Sequence, residues 1–426
     1  MAVAAALIFV AAYVLLATEK VHRTKVALVG AGLMLVLRIS DADKAFFDER
    51  TGVEWNVIFL LLGMMIIVSV LRRTGVFEYV AVWTAKRTRG RPYRLMVTLC
   101  VLTATASALL DNVTTVLLIA PVTFLVCARL GLRPAPYLIA EVFASNIGGT
   151  ATLVGDPPNI IIAAKADPDL TFNDFLVNLT PIVLVLMVAF LLLCRVMFRR
   201  DFVHDPDRAA AVMRLDEKEA ITDRGLLIKA LGVLVLVMLT FVLHPVLHYE
   251  PSIVALLGAG LLLLITDVDV TDVLREVEWP TLVFFAGLFV MVGGLVQTGI
   301  IDSLSRSLGD LTQGRLGLAT IGLLGGSAIL SAVVDNIPYV ATMSPIVADL
   351  VHQQGAGGDV LWWALALGAD LGGNATAIGA SANVVALGIA AREGHPISFW
   401  EFTRYGLIVT AVTVALCVPY LWFRYV

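Results

Sequence analysis

Asp111-Asn112 recurs as Asp335-Asn336, 224 residues further along the chain. At the same shift of 224, the stretch NIGGTATLVGDPPN (Asn146 to Asn159) returns as DLGGNATAIGASAN (Asp370 to Asn383). Trp55 returns as Trp279, Thr74-Gly75 as Thr298-Gly299, Ser107 as Ser331 and Pro121 as Pro345, so the halves align without a gap from Trp55 to Asn159. A repeat this long restricts the fold to two related bundles. Composition then says in which solvent the bundles form. Hydrophobic residues make up 59% of the chain, charged residues 15%, and the mean hydropathy is +0.90. Soluble chains carry about 25% charge, whereas apolar runs of roughly 17–25 residues read as transmembrane helices. The chain is therefore expected to be an all-α polytopic membrane protein. In repeat-built transporters the site lies between the halves, where helices break near the bilayer midplane.

Apolar spans are expected at 3–17, 25–38, 55–71, 136–163, 176–198, 225–243, 252–266, 279–296, 361–390 and 405–424. Two further apolar regions, 93–129 and 315–352, are each interrupted in the middle by an Asp-Asn pair. As one straight helix, such a region would be about 55 Å long, against a hydrocarbon core of ~30 Å. Both are therefore read as re-entrant hairpins. The organisation that follows is a first repeat over 1–198, a linker over 199–224 and a second repeat over 225–426. Basic residues cluster after the first and third spans, after the first hairpin, and in the linker. The positive-inside rule places all four clusters in the cytoplasm. Both termini then lie outside, and the second repeat is inverted relative to the first. The acidic loop 267–278 is the weak point of this topology, because it falls inside. The linker around Asp216-Glu217-Lys218 is expected in the cytoplasm with a short surface helix, and Asp167-Pro168-Asp169 outside. Met1 to Leu16 reads as a span with no basic segment before it, so no cleavable signal peptide is expected.

The candidate site residues fall at the interruptions. A carboxylate at membrane depth costs roughly 2.5–3.5 kcal/mol on insertion scales and is rare unless it faces the bundle interior or a water-filled cavity. Here Asp111 is followed by Asn112, Thr114 and Thr115, and Asp335 by Asn336. The plain alternative is helix capping by each Asp. The second constellation is glycine-rich. Gly148-Gly149 and Gly372-Gly373 lie within apolar spans, beside Asn146, Thr150, Thr152, Asp156 and Asn159 in one half and Asp370, Asn374, Thr376, Ser381 and Asn383 in the other. Each helical Gly costs roughly 0.8–1.0 kcal/mol relative to Ala, and Pro157-Pro158 cannot continue a helix normally. Both stretches are read as unwound turns, which present carbonyls to cations and amide dipoles to anions. Close packing through small residues is the plain alternative. Glu141 is a further intramembrane acid, expected near the membrane face. Na⁺ at Asp111, Asn112, Asp335 and Asn336 is the candidate metal site.

Several classes of function are disfavoured. The four cysteines are scattered without a CxxC or Cys/His cluster, against a disulfide framework or structural metal. The histidines His22, His204, His244, His248, His352 and His395 fall in loops or span ends and read as structural or solvated. The 30 Lys and Arg leave no nucleic-acid footprint, and no P-loop occurs. No nucleophile-base set can be assembled, so an enzyme is not expected, and neither is a cofactor. Transport energy then comes from an H⁺ or Na⁺ gradient or from a separate ATPase subunit.

The strings DNVTTVLLIAPVT, SNIGGTATLVGDPPN, DNIPYVATMSPIV and LGGNATAIGASANVV, in that order over nearly the whole chain, resemble the ion transporter superfamily. Within it they resemble the ArsB/NhaD permease branch, which holds arsenite efflux permeases, Na⁺/H⁺ antiporters and the P protein, and they look closest to the P-protein-like members. The resemblance implies an elevator-type homodimer, with a scaffold and a mobile transport domain, in a bacterial inner membrane. It also implies a site made by the two hairpin tips and two unwound helices. Related divalent-anion/sodium symporters carry Ser-Asn-Thr at the tips where this chain has Asp111-Asn112 and Asp335-Asn336. That departure counts against dicarboxylate transport, and the family resemblance puts arsenite or antimonite efflux first, with Na⁺/H⁺ antiport close behind. Citrate or dicarboxylate symport comes after them, since no Arg or Lys lies at the motifs. A channel is the remaining alternative.

Overall fold

The computed structural model describes all residues except 19, 49–50, 167–169, 203–204, 213–219, 313–314 and 356. The expectations for Asp216 to Lys218, Asp167 to Asp169 and His204 therefore lie outside the described residues. The first half holds α1 (Ala2–Thr18), α2 (Arg23–Val36), α3 (Ala42–Phe47), α4 (Trp55–Arg72), α5 (Val76–Arg87), α6 (Pro92–Leu109), α7 (Asn112–Leu130), α8 (Pro134–Gly149), α9 (Pro157–Lys165) and α10 (Phe172–Met197). A short helix, α11 (Pro206–Val212), follows. The second half holds α12 (Arg224–Val242), α13 (His244–Leu247), α14 (Pro251–Ile265), α15 (Val270–Glu276), α16 (Trp279–Gln297), α17 (Ile300–Thr312), α18 (Leu316–Ser331), α19 (Asn336–Gln354), α20 (Val360–Gly372), α21 (Ser381–Arg392) and α22 (Phe399–Tyr425). Among the described residues no strand occurs, and seven helices are long and apolar enough to cross a membrane.

The helices start and stop where local chemistry tells them to. Pro92 and Pro134 sit in the first turns of α6 and α8, where a missing N–H costs nothing. Asp111 and Asp335 cap α7 and α19. The Thr-Gly pairs are explained by backbone sign: Gly75 and Gly299 take φ +76° and +72°, a region open to glycine without penalty. Helix α10 opens on a capping box between Thr171 and Asp174.

Two packing units emerge. In one, α4 lies on α14 and α2 on α16, with α1 and α12 alongside. In the other, α6 packs on α8, α18 on α20, α7 on α21 and α9 on α19, with α10 and α22 flanking. Each contact in one half thus has a counterpart with the halves exchanged. The buried face of α8 is complete, from Pro134 to Gly149, and so is that of α20, from Val360 to Gly372. Glu141, expected near a membrane face, is instead fully enclosed at 3% exposure. Its carboxylate accepts the Thr123 hydroxyl at 2.5 Å.

The segments 136–163 and 361–390 are each two helices, parted at 150–156 and 373–380, where the glycine-rich stretches were read as unwound turns. The spans differ from expectation in two respects. The two arms of the first hairpin have 18 and 19 residues, about 27 and 29 Å of helix. Each could cross a membrane, so length alone does not dictate a re-entrant hairpin. Helices α5 and α17, which the apolar pattern passed over, match each other at the 224 shift. They carry too many polar residues to read as spans.

Candidate functional site

The site begins at two helix junctions. Between α6 and α7 the chain breaks at Leu110-Asp111, and Asp111 Oδ1 accepts the Thr114 N–H at 2.8 Å. Between α18 and α19 the Asp335 Oδ1 accepts the Ile337 N–H at 3.1 Å. The capping role weighed for these acids is therefore real in both halves. It engages one oxygen of each carboxylate. The second oxygen of Asp335 accepts the Ser381 hydroxyl at 2.6 Å.

Two unwound turns face these tips, and they are built alike. Thr152 donates its hydroxyl to the Ala108 carbonyl at 2.5 Å, and Thr376 donates to Ala332 at 2.6 Å. Asn159 Nδ2 donates to the Thr152 carbonyl at 2.9 Å, and Asn383 Nδ2 to the Thr376 carbonyl at 2.8 Å. These side chains hold carbonyls that the broken helix leaves without a partner, as a buried backbone requires. Thr150 donates back to the Asn146 carbonyl at 2.8 Å. The proline pair does not end a helix here. It opens α9, with Asp156 at the N-cap position making no cap hydrogen bond. The Asp156 carboxylate is thus left for the centre.

Asp156 is where the halves meet. It accepts Asn112 Nδ2 at 2.8 Å and Asn336 Nδ2 at 3.5 Å, one from each tip. Asn112 Nδ2 also donates to Asn146 Oδ1 at 3.1 Å. Asn146 Nδ2 in turn donates to Asn374 Oδ1 at 2.9 Å and Asn383 Oδ1 at 3.1 Å in the other half. The fields of Asp370, Asp335 and Asp111 all act on Asp156. Asp156, Asp370, Asn146, Asn159, Asn374 and Asn383 are fully buried. Beside the Asp370 carboxylate stands the Thr150 hydroxyl, and among the described residues Asn374 Nδ2, Asn159 Oδ1 and Thr115 Oγ1 have no hydrogen-bond partner. Leaving one buried polar group unpaired costs ~1–3 kcal/mol. Several such groups lie together at this centre.

The glycines have a different place. A Cβ on Gly148 would meet the Ala104 carbonyl oxygen at 2.3 Å, and one on Gly372 the Ala328 oxygen at 2.6 Å. Gly149 faces Gly155, and Gly373 faces Gly379. They let α8 and α20 press against the hairpin arms, so packing accounts for them and they position the site. Thr114 contributes its N–H to Asp111.

One contact at the second tip was not legible in the motifs. Arg23, at the start of α2, forms an ion pair with Asp335 at 3.9 Å and donates to the Ser381 hydroxyl. Its other amine donates to Thr281 Oγ1 at 3.1 Å, and its guanidinium lies 5.5 Å from the Phe284 ring centre. It opens on a cavity of ≈ 300 Å³ that His22, Asp335, Ser381 and apolar side chains also line. Beside Lys20 and Lys25, Arg23 read as one more loop charge. Only the fold carries it to the second tip. The expectation that no basic residue lies at the site is corrected by this contact. Among the described residues, no cluster of three or more His, Cys, Asp and Glu is placed to hold a metal.

Known proteins share this architecture. The YdaH transporter of Alcanivorax borkumensis superposes with a TM-score of 0.62 at 17% identity, over 94% of this chain and 98% of that one. The Neisseria gonorrhoeae protein MtrF does so at 0.58 and 13%, over 96% of both. At such identities the likeness shows the fold alone. In sequence, an uncharacterized transporter of Mycobacterium bovis is 58% identical over 100% of this chain and 99% of its own length. The P protein of Homo sapiens is 35% identical over 95% of this chain but only 58% of that protein. A family model described as "Citrate transporter" matches residues 13–368. The ion-transporter resemblance drawn from the four motifs agrees with these matches, and the matching model carries citrate in its description where the motifs ranked arsenite first. With its apolar helices, its polar centre and these relatives, the chain belongs to the citrate transporter family within the ion transporter superfamily and is an integral inner-membrane transporter.

Proposed function

We propose that this chain is a secondary active transporter, coupled to protons or Na⁺, whose ion seat is the acidic centre at the two hairpin tips. The observation that carries the reading is Asp156 bridged to both tips, with Asp370 as a second fully buried carboxylate acting on it. Moving a carboxylate out of water costs several kcal/mol even after relaxation. Asp335 has Arg23 as its counter-charge, whereas Asp111, Asp156 and Asp370 are tolerable there only when protons or cations offset their charge. Binding and release of those cations then changes the charge of the moving body, which is what coupling requires.

The same geometry supports inverted repeats with re-entrant hairpins. Both tips and both unwound turns converge on one centre, so each tip lies at the depth of the helix breaks. An elevator motion of the hairpins with α8, α9, α20 and α21 against α2, α4, α14 and α16 follows the division between packing units. The scaffold would form a homodimer through α2 and α14. A separate ATPase subunit is not needed by this reading.

For the solute, the Asn- and Asp-rich centre favours a small inorganic species, with arsenite or antimonite efflux and Na⁺/H⁺ antiport as the forms to test. A second reading, import of citrate or another carboxylate with a cation, is favoured by Arg23 at the tip and by the family description. Flux into proteoliposomes under imposed proton or Na⁺ gradients, scanning arsenite, Na⁺ and citrate, separates them. Flux of any of these that follows an imposed gradient uphill supports the reading. Steady single-channel current with no uphill movement would replace it with a channel.

A further inference from the structure

We propose that Arg23 is a coupling residue. Its guanidinium, as a tethered cation, fills the seat at the second hairpin tip that the coupling ion takes on loading. The inference rests on the ion-seat reading above. Three observations carry it. First, the contact crosses between the packing units: Arg23 belongs to α2, which packs on α16, whereas Asp335 and Ser381 start α19 and α21. Second, Asp335 and Ser381 are themselves joined at 2.6 Å and both face the guanidinium. They are two oxygen ligands with a cation in front of them. Third, among the described residues the arrangement occurs at one tip and not at its twin. The residue matching Arg23 at the 224 shift is Leu247, which carries no charge to offer Asp111.

Arg23 keeps company on its own side when Asp335 lets go. Thr281 accepts from it at 3.1 Å and Phe284 lies under it, a cation–π arrangement that stabilises a desolvated guanidinium. A proton or Na⁺ on Asp335 removes the carboxylate's charge, so the contact across the units weakens and the loaded body is free to move. With no ion bound, Arg23 restores the pair and holds the empty carrier in place, which prevents uncoupled slippage. The other ionisable groups near this seat are His22 before α2, Tyr13 on α1, Tyr339 on α19, Asp156 before α9, which holds the neighbouring Asn336, and Glu278 before α16, which accepts the Thr281 hydroxyl at 3.1 Å.

A single labelling experiment on the full chain in liposomes tests this. Val385 lines the cavity, and all four native cysteines are buried, so Val385→Cys gives a clean target for an impermeant maleimide. In choline chloride at alkaline pH the otherwise native chain should label slowly. Sodium chloride or mild acid should raise the rate about fivefold, equivalent to ~1 kcal/mol. Arg23→Gln should label at the fast rate in every medium, and Arg23→Lys, which retains a point charge, should be slow again without ions. If Arg23→Gln keeps both the slow rate and the ion response, the coupling role is overturned while the ion seat stands. If the native chain responds to neither ion and Asp335→Asn leaves its rate unchanged, the ion seat at this tip is wrong, and the role of Arg23 falls with it. Restoration by Arg23→Lys separates lost charge from a misfolded variant.

Discussion

Asp156→Asn isolates the contribution of the charge at the meeting point of the halves. The substitution keeps the side chain's shape and replaces one acceptor oxygen with a donating amide. In the native centre Asp156 accepts from Asn112 at 2.8 Å and from Asn336 at 3.5 Å. An asparagine keeps one carbonyl oxygen, which can hold the Asn112 bond and the long Asn336 contact, while its NH₂ replaces the other oxygen and the charge is lost. Hydrogen bonds to a charged group contribute ~1.5–3 kcal/mol. Losing that charge, as hydrogen-bond acceptor and as counter-charge for the ion, predicts coupling-ion binding weaker by about ten- to 150-fold. The assay is the half-saturating Na⁺ or proton concentration for gradient-driven flux in proteoliposomes. Size-exclusion elution and thermal unfolding in detergent monitor the fold. The substitution relieves buried charge, so the fold is expected to persist. A folded Asp156→Asn protein with half-saturation within twofold of the native value would refute the argument that this carboxylate is part of the ion seat.

The tips make further predictions. Asp111→Asn and Asp335→Asn preserve a capping oxygen for Thr114 and Ile337, so both variants should fold but lose coupled transport; wild-type rates with unchanged pH and Na⁺ dependence would reduce the acids to caps. Gly148→Ala and Gly372→Ala drive a Cβ into the carbonyls of Ala104 and Ala328, and overpacking of this kind costs ~1–3 kcal/mol. Their melting temperatures in detergent should fall, whereas Gly322→Ala on α18, with open space around its Cβ, should leave stability unchanged or raised; equal effects at all three positions would show that close arm packing is not what the glycines provide. Spin labels near Asn112 in the two protomers should change depth and separation between inward and outward conditions. Fixed distances during active transport would exclude an elevator.

The sequence by itself determined the solvent and the local chemistry at the helix breaks. Apolar runs can mean only a bilayer when charge is this scarce, and a fixed shift of 224 residues copies every local instruction. Asn112 and Asn336 begin helices in both halves, and Thr152 and Thr376 hold matching carbonyls, because local chemistry needs no distant partner. What the pattern could not supply were contacts between segments remote in the chain. Whether Asp156 caps a helix or faces the tips depends on Asn112 and Asn336, 44 and 180 residues away. Glu141 looked peripheral because hydropathy measures apolar content and not which side of a helix its neighbours cover. The glycines of α8 and α20 carry the same letters whether they open a turn or admit a neighbouring helix, and only the distance to Ala104 and Ala328 decides. Arg23 is the clearest case. Its local signal, a basic cluster at a span's edge, is the signal of membrane orientation. Its ion pair with Asp335, 312 positions away in the chain, exists only because α2 packs on α16 and the second tip folds back to meet them. Charge pairing acts through space, over a few ångströms, and chain position does not encode that distance.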